Sequence, residues 1–174
     1  MIRLNVGSGQ RRFDPEYGWV NIDKISRPDQ VPDIICDVGV ERLPFDDGTI
    51  DMVVLHHVLE HFHLGPEVDA VLLECHRVLE DHGSLLVFVP DMRALAQAWM
   101  TRQISDYIYM VNVYGAWQGE NGDDHHWGWS GESLVKQLRS MPVQWYDVHS
   151  FTWRHIPGAD IARDFWICGM EAVK

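Results

Sequence analysis

The chain reads as an α/β fold built on an open, mostly parallel sheet. Short apolar runs recur with polar residues at their ends: Leu4-Asn5-Val6 leads into Gly7-Ser8-Gly9, and Trp19-Val20-Asn21-Ile22 into Asp23. Ile34-Ile35-Cys36 leads into Asp37, and Met52-Val53-Val54-Leu55 into His56-His57. Later segments switch to helical spacing, and alternation of strand and helix is the signature of a parallel sheet. Polar residues closing successive strands mark where such sheets bind ligands.

Taken in order, the first run closes in a Gly-x-Gly turn, where a ligand can lie against backbone with no Cβ in the way. Between Gly9 and Trp19 there is too little chain for a crossover helix with its loops. The first helix is therefore shortened or absent. Val58 to Phe62 suggests a short helix. Behind Pro66, the residues Val68, Val71, Leu72, Cys75 and Leu79 recur at helical spacing, and Gly83 is expected to end that helix. Ser84 to Val89 is a fully apolar fifth strand ending at Pro90-Asp91. Residues 92–103 read as a helix. Residues 104–129 show no clear period and are crowded with Tyr, Trp, Gly and Asp. Ser130 is an N-cap for a helix reaching about Met141. Two last strands follow near Gln144–Phe151 and Asp164–Met170, joined through Pro157-Gly158.

A length of 174 residues, 46% hydrophobic and 23% charged, fits one globular domain with a sizeable core. Residues 1–91 form its first half, and residues 92–174 the second, with a lid expected near 104–129. The formal charge of −12, with Arg11-Arg12 as the local basic group, argues against a nucleic-acid partner. Cys36, Cys75 and Cys168 lack CxxC spacing and read as buried thiols of a reducing compartment. No leader-like segment and no membrane-spanning stretch stands out, so a cytoplasmic protein without a membrane partner is expected.

The strand-end residues point to a nucleoside-type cofactor. Dinucleotide sites hold a pyrophosphate at a helix N-terminus and use a third glycine to pack that helix. Here the helix is missing, and Arg12 stands at the third-glycine position. A cofactor without phosphates loses nothing by this, which disfavours NAD and FAD and a nicotinamide-dependent oxidoreductase.

With these residues in hand, the chain resembles the class I S-adenosylmethionine-dependent methyltransferases, in particular small proteins of the methyltransferase type 11 kind. The resemblance covers about residues 2–91 and runs through Leu-Asn-Val-Gly-Ser-Gly (4–9), Gly-Trp-Val-Asn-Ile-Asp (18–23) and Cys-Asp-Val (36–38). It continues in Leu-Pro-Phe-Asp-Asp-Gly-Thr-Ile-Asp (43–51), His-His-Val-Leu-Glu-His (56–61) and Glu-Cys-His-Arg-Val-Leu (74–79). It implies a Rossmann-like methyltransferase fold: a mostly parallel seven-stranded sheet with a C-terminal antiparallel strand. It also implies S-adenosyl-L-methionine as cofactor and a small-molecule or sugar-type acceptor. By the same resemblance, Gly7, Ser8 and Gly9 lie under the methionine part, Asp23 takes the ribose hydroxyls and Asp37 the adenine amino group. Val38 touches the base, and His56 sits beside the cofactor through its backbone. Asn5 belongs to the same cofactor-binding set but departs from the family, where an acidic residue is common, and Glu80-Asp81-His82-Gly83 replaces the usual Lys-Pro-Gly-Gly.

An oxygen or nitrogen acceptor needs a base, and histidine suits neutral pH. His57 and His126 are the expected candidates, with Asp91 as a third; His126 would act from the lid. His57-Val-Leu-Glu60-His61 matches the HxxEH pattern of a zinc-peptidase class. Such motifs belong on a long helix, whereas this one follows a buried strand, so no metal is expected there. Asp123-Asp124-His125-His126 carries metal-type donors but reads first as a polar loop. Asp46, Asp47 and Asp51 read as a solvated turn. Trp117, Trp127, Trp129 and Trp153 suit either core packing or stacking on the acceptor. The competing function is a non-catalytic S-adenosylmethionine-binding module, which Asn5 and the missing helix favour.

Overall fold

A computed structural model describes residues 1–116, 123–151, 154–161 and 166–174. Trp117, Trp153, part of the expected lid and the expected start of the last strand lie outside these residues. The strands are β1 (Arg3–Val6), β2 (Trp19–Asp23), β3 (Ile34–Ile35), β4 (Ile50–His56), β5 (Leu79–Pro90), β6 (Asp147–Ser150) and β7 (Ile167–Val173). They form one sheet in the order β3-β2-β1-β4-β5-β7-β6. Strands β1 to β5 pair in parallel, and β7 runs antiparallel to both β5 and β6. This is the expected seven-stranded arrangement. The chain order reverses between β1 and β4, so the carboxyl ends of these neighbours open a crevice.

Strands β4 and β5 are apolar on both sides because both faces of the sheet are covered. Val53, Leu55, Leu85, Val87 and Val89 point to one core; Val54, Leu86 and Phe88 point to the other. The first core is covered by α1 (Pro66–Val78) and α4 (Gly131–Ser140). In α1 the buried stripe is Val68, Val71, Leu72, Cys75 and Val78, with acids in the first turn and His76 and Arg77 in the last, as the helix dipole favours. Arg77 also donates to the carbonyls of Leu43 and Phe45, tying the 43–47 turn to the helix. Ser130 caps α4 in a reciprocal box with Ser133.

Among the described residues, no crossover helix lies over the second core. Between β1 and β2 the chain forms only a 3-10 turn at Pro15–Tyr17, as the short connection requires. Phe13 takes the place of a helix. It is buried edge-on against Trp19 at 4.8 Å, beside Phe151, Ile156 and Ile167. Trp19 Nε1 donates to the Pro157 carbonyl at 2.8 Å, and the Asp14 amide to that of Gly158 at 2.8 Å, so residues 154–161 close over the plug.

Two expected elements are corrected and a third is found slightly shorter. Gly83 does not end α1: the helix stops at Val78, and Gly83 lies inside β5, where the pairing jumps from Ile50–Leu79 to Met52–Ser84. The helix expected over 92–103 is α2 (Met92–Met100). The stretch 104–129 is not without regular structure, because Asp106–Tyr114 forms α3, capped by Ser105. Its apolar residues go all the way round (Tyr107, Ile108, Tyr109, Met110, Val111, Val113, Tyr114), so no helical stripe shows in the sequence. It is held from one side, where Ile108 and Tyr109 pack on Leu95, Ala98 and Ile104.

Candidate functional site

A cleft of about 440 Å³ opens at the carboxyl ends of β1, β2 and β4. Its floor is the turn after β1. The Ser8 amide donates to the Ile22 carbonyl at 2.9 Å, which ties the turn to β2. Gly7 stands at φ +69° with Val58 so close that an added Cβ would fall 2.5 Å from its methyl group. Gly9, at φ +46°, would put a Cβ into open space, leaving bare backbone toward the cleft.

Asp23 ends β2 beside this turn. Its Oδ2 accepts the Gly9 amide at 2.8 Å and its Oδ1 the Ile25 amide at 2.9 Å. A carboxylate oxygen accepts two bonds, so the carboxylate is held by backbone while keeping acceptor sites for hydroxyls in the cleft. Asp37 and the buried Val38 line the same cleft after β3. The Asp37 Oδ1 accepts the Gly39 amide at 3.0 Å in a local turn.

Asn5 borders the cleft, but its amide is engaged elsewhere. Nδ2 donates to the Arg11 carbonyl at 2.7 Å and to Asn21 Oδ1 at 2.9 Å. Asn21, fully buried one strand over, bonds both the amide and the carbonyl of Phe13 and donates to Asp33. Burial would raise the Asp33 pKa, but the Asn21 amides and the Arg12 guanidinium together hold it below the ordinary value. Asn5 is thus part of a lattice that holds the helix-less connection.

The wall after β4 carries His56 and His57. His56 is buried with Nε2 unpartnered among the described residues; burial first, then the charges of His57 and Arg11, push its pKa down to about 3. His57 stands at φ +57°, a conformation that non-glycine residues seldom adopt and that recurs at functional sites. Its Nδ1 lies 3.0 Å from Oε1 of Glu60, which is 1% exposed. A carboxylate only accepts, so Nδ1 carries the proton and Nε2 is left as a base. Glu60 is thus the orienting partner of His57. Sequence reasoning missed this pair, although the His-x-x-Glu spacing within HxxEH was its signal. The motif spans a strand end and the 3-10 turn Leu59–His61, so His57 and His61 do not share a helix face.

The other two base candidates lie elsewhere. Asp91 caps α2, its Oδ1 accepting the Arg93 and Ala94 amides at 2.9 and 3.3 Å. His126 is exposed and stacks on His63 with centroids 4.2 Å apart, while its amide donates to the Glu60 carbonyl. Neither lines the cleft. Asp123 and His61 do line it. His125, half-buried on that loop, is held below its ordinary pKa mainly by burial, against the pull of Glu60 and the Asn112 carbonyl. Trp129 is buried in the first core, while Trp127 is partly exposed.

Residues 13–87 match the family model described as a methyltransferase domain. No curated protein matches the chain by sequence. Among solved structures, an S-adenosylmethionine-dependent methyltransferase from Archaeoglobus fulgidus superposes with a TM-score of 0.62 at 15% identity, over 99% of this chain and 85% of that one. A possible histamine N-methyltransferase from Thermotoga maritima gives 0.60 at 15%, over 99% and 82%. The 1,6-didemethyltoxoflavin-N1-methyltransferase of Burkholderia thailandensis, bound to its substrate and S-adenosylhomocysteine, gives 0.58 at 16%, over 99% and 70%.

Proposed function

We propose that the chain is an S-adenosylmethionine-dependent methyltransferase of class I, a reading supported by the methyltransferase-domain match and the fold of its structural neighbours, and that it methylates an oxygen or nitrogen of a small polar acceptor with His57 as base. The observation that carries this reading is the meeting, in one cleft, of the Gly7–Gly9 turn, the backbone-held carboxylate of Asp23 and His57, with the buried Glu60 behind it. The residues fit the cofactor. Bare backbone at Gly9 accommodates its methionine part, and Asp23 has acceptor sites for both ribose hydroxyls. Asp37 and Val38 flank the adenine end. The unpartnered Nε2 of neutral His56 is available to a polar group of a bound ligand. No helix begins at Gly9 to hold a pyrophosphate, and Arg12 is engaged by Asp33 and the Val31 carbonyl.

Held by the Gly7–Gly9 turn and Asp23, S-adenosylmethionine would supply an electrophilic methyl group, with neutral S-adenosylhomocysteine as the leaving group and the acceptor's lone pair as the nucleophile. The protein's task is to position acceptor and methyl, an effect worth up to about 10 kcal/mol. His57 Nε2 takes the acceptor's proton, and Glu60 stabilises the imidazolium so formed. Small-molecule acceptors are supported by the neighbours named for toxoflavin-precursor and histamine methylation. The departure at Asn5 no longer favours a module without turnover, because the Arg11–Asn21 lattice accounts for it.

The test is formation of S-adenosylhomocysteine from S-adenosylmethionine with a panel of small hydroxyl and amine acceptors. His57→Asn, which tolerates the left-handed backbone, is expected to lower kcat about a hundredfold or more and to change cofactor affinity less than about threefold. Equal turnover in His57→Asn would remove the base. Cofactor binding with no turnover on any acceptor would favour the binding module.

A further inference from the structure

Behind the cleft wall formed by His57, His61 and Asp123 lies a cluster that the proton transfer above leaves unexplained. Glu60 is 1% exposed, and its Oε1 faces His57, but its Oε2 has no hydrogen-bond partner among the described residues. A buried carboxylate oxygen without a donor or cation is costly. Ligand atoms of Glu60, His61 and His125 all lie within 4.8 Å of one another. Both imidazoles are oriented in the same way. Nδ1 of His61 lies 3.1 Å from the Asp124 carbonyl, and Nδ1 of His125 lies 2.9 Å from the Asn112 carbonyl. A carbonyl only accepts, so each ring has its proton on Nδ1 and presents Nε2 as a lone pair. Metal-binding histidines are commonly fixed in this manner. Nε2 of His61 also lies 3.7 Å from Oδ1 of Asp123.

We propose that Glu60, His61 and His125, with Asp123 at the rim, form a site for one divalent transition-metal ion. Two imidazoles with one or two carboxylates suit Zn²⁺, Mn²⁺, Fe²⁺ or Co²⁺ better than Ca²⁺ or Mg²⁺, which prefer oxygen donors. The polar loop and the HxxEH motif, each read separately as metal-free, combine here: His57 goes to Oε1, and His125 arrives from the later loop to supply the third donor. His61 and Asp123 line the cleft, so a remaining coordination position faces the acceptor. Resting on the methyltransferase reading, this specifies the acceptor class as a hydroxyl compound whose oxygen binds the ion and so loses its proton more readily to His57. The metal site itself stands without that reading.

Chelator-stripped protein is titrated with Co²⁺ and followed by its visible absorption, with S-adenosylhomocysteine binding measured on the same sample by calorimetry. One Co²⁺ per chain is expected, displaced by one Zn²⁺. Glu60→Gln and His125→Ala should each weaken Co²⁺ binding at least tenfold, while His63→Ala on the neighbouring turn leaves it unchanged. X-ray absorption of the Zn²⁺-loaded wild-type protein, which needs no variant, should show two imidazoles and no sulfur. A thiolate shell, sub-stoichiometric Co²⁺, or affinity unmoved by Glu60→Gln would overturn the site. S-adenosylhomocysteine binding in that case would leave the methyltransferase reading standing; Co²⁺ binding without it would do the reverse.

Discussion

His56 shows how one buried side chain makes the site sensitive to acid. Its folded pKa of about 3, against an ordinary 6.5, means that the unfolded chain binds a proton the folded chain refuses. The neutral ring's contribution to stability is complete above about pH 6.5 and is lost as pH falls from there toward 3. The slope it adds is at most about 1.4 kcal/mol per pH unit. His56→Phe should flatten the fall in stability between pH 6.5 and 4 by up to that amount, measured by urea unfolding across pH. An unchanged slope would show that the ring is not held neutral. The identity of this residue was legible as a strand end; its neutrality was not, because burial depends on Phe88 and the β4–β5 pairing around it.

Among the elements, the connection from β1 to β2 is the most unusual. Its shortness was plain from the spacing between Gly9 and Trp19, but what replaces the helix was not. The replacement relies on side chains distant in sequence: Asn5 on β1, Asn21 on β2, Asp33 before β3, and Phe13 between them. Single polar residues inside apolar runs carry no period, so they read as interruptions. Asn21→Ala removes bonds to both backbone groups of Phe13 and leaves them buried. It should cost about 3 kcal/mol, seen as a lower denaturation midpoint, and a cost below about 1 kcal/mol would deny the lattice its role. Helix α3 was hidden for the opposite reason, since an apolar surface all round has no stripe to detect. Strongly patterned α1 and the Ser130 cap of α4 were both legible, because propensity, spacing and capping agree there. The His57–Glu60 pair was half legible: the spacing was visible, but only the turn after β4 shows that the two residues face each other.

At the scale of the whole molecule, the parallel order from β3 to β5 sends the ends of β1, β2 and β4 to one edge of the sheet. Asp23, the Gly7–Gly9 turn and His57 are far apart in sequence and meet there for that reason alone. The described residues include no helix long and apolar enough to cross a membrane. We propose that this edge holds S-adenosylmethionine through Asp23 and bare backbone, with nothing to grip a pyrophosphate. Calorimetric titration with S-adenosylhomocysteine tests it most directly, with NAD run beside it and Asp23→Ala as the variant. The account predicts one site per chain for S-adenosylhomocysteine, at least tenfold weaker in folded Asp23→Ala, and much weaker binding of NAD. Equal or tighter NAD binding, or affinity for S-adenosylhomocysteine unchanged by Asp23→Ala, would contradict it.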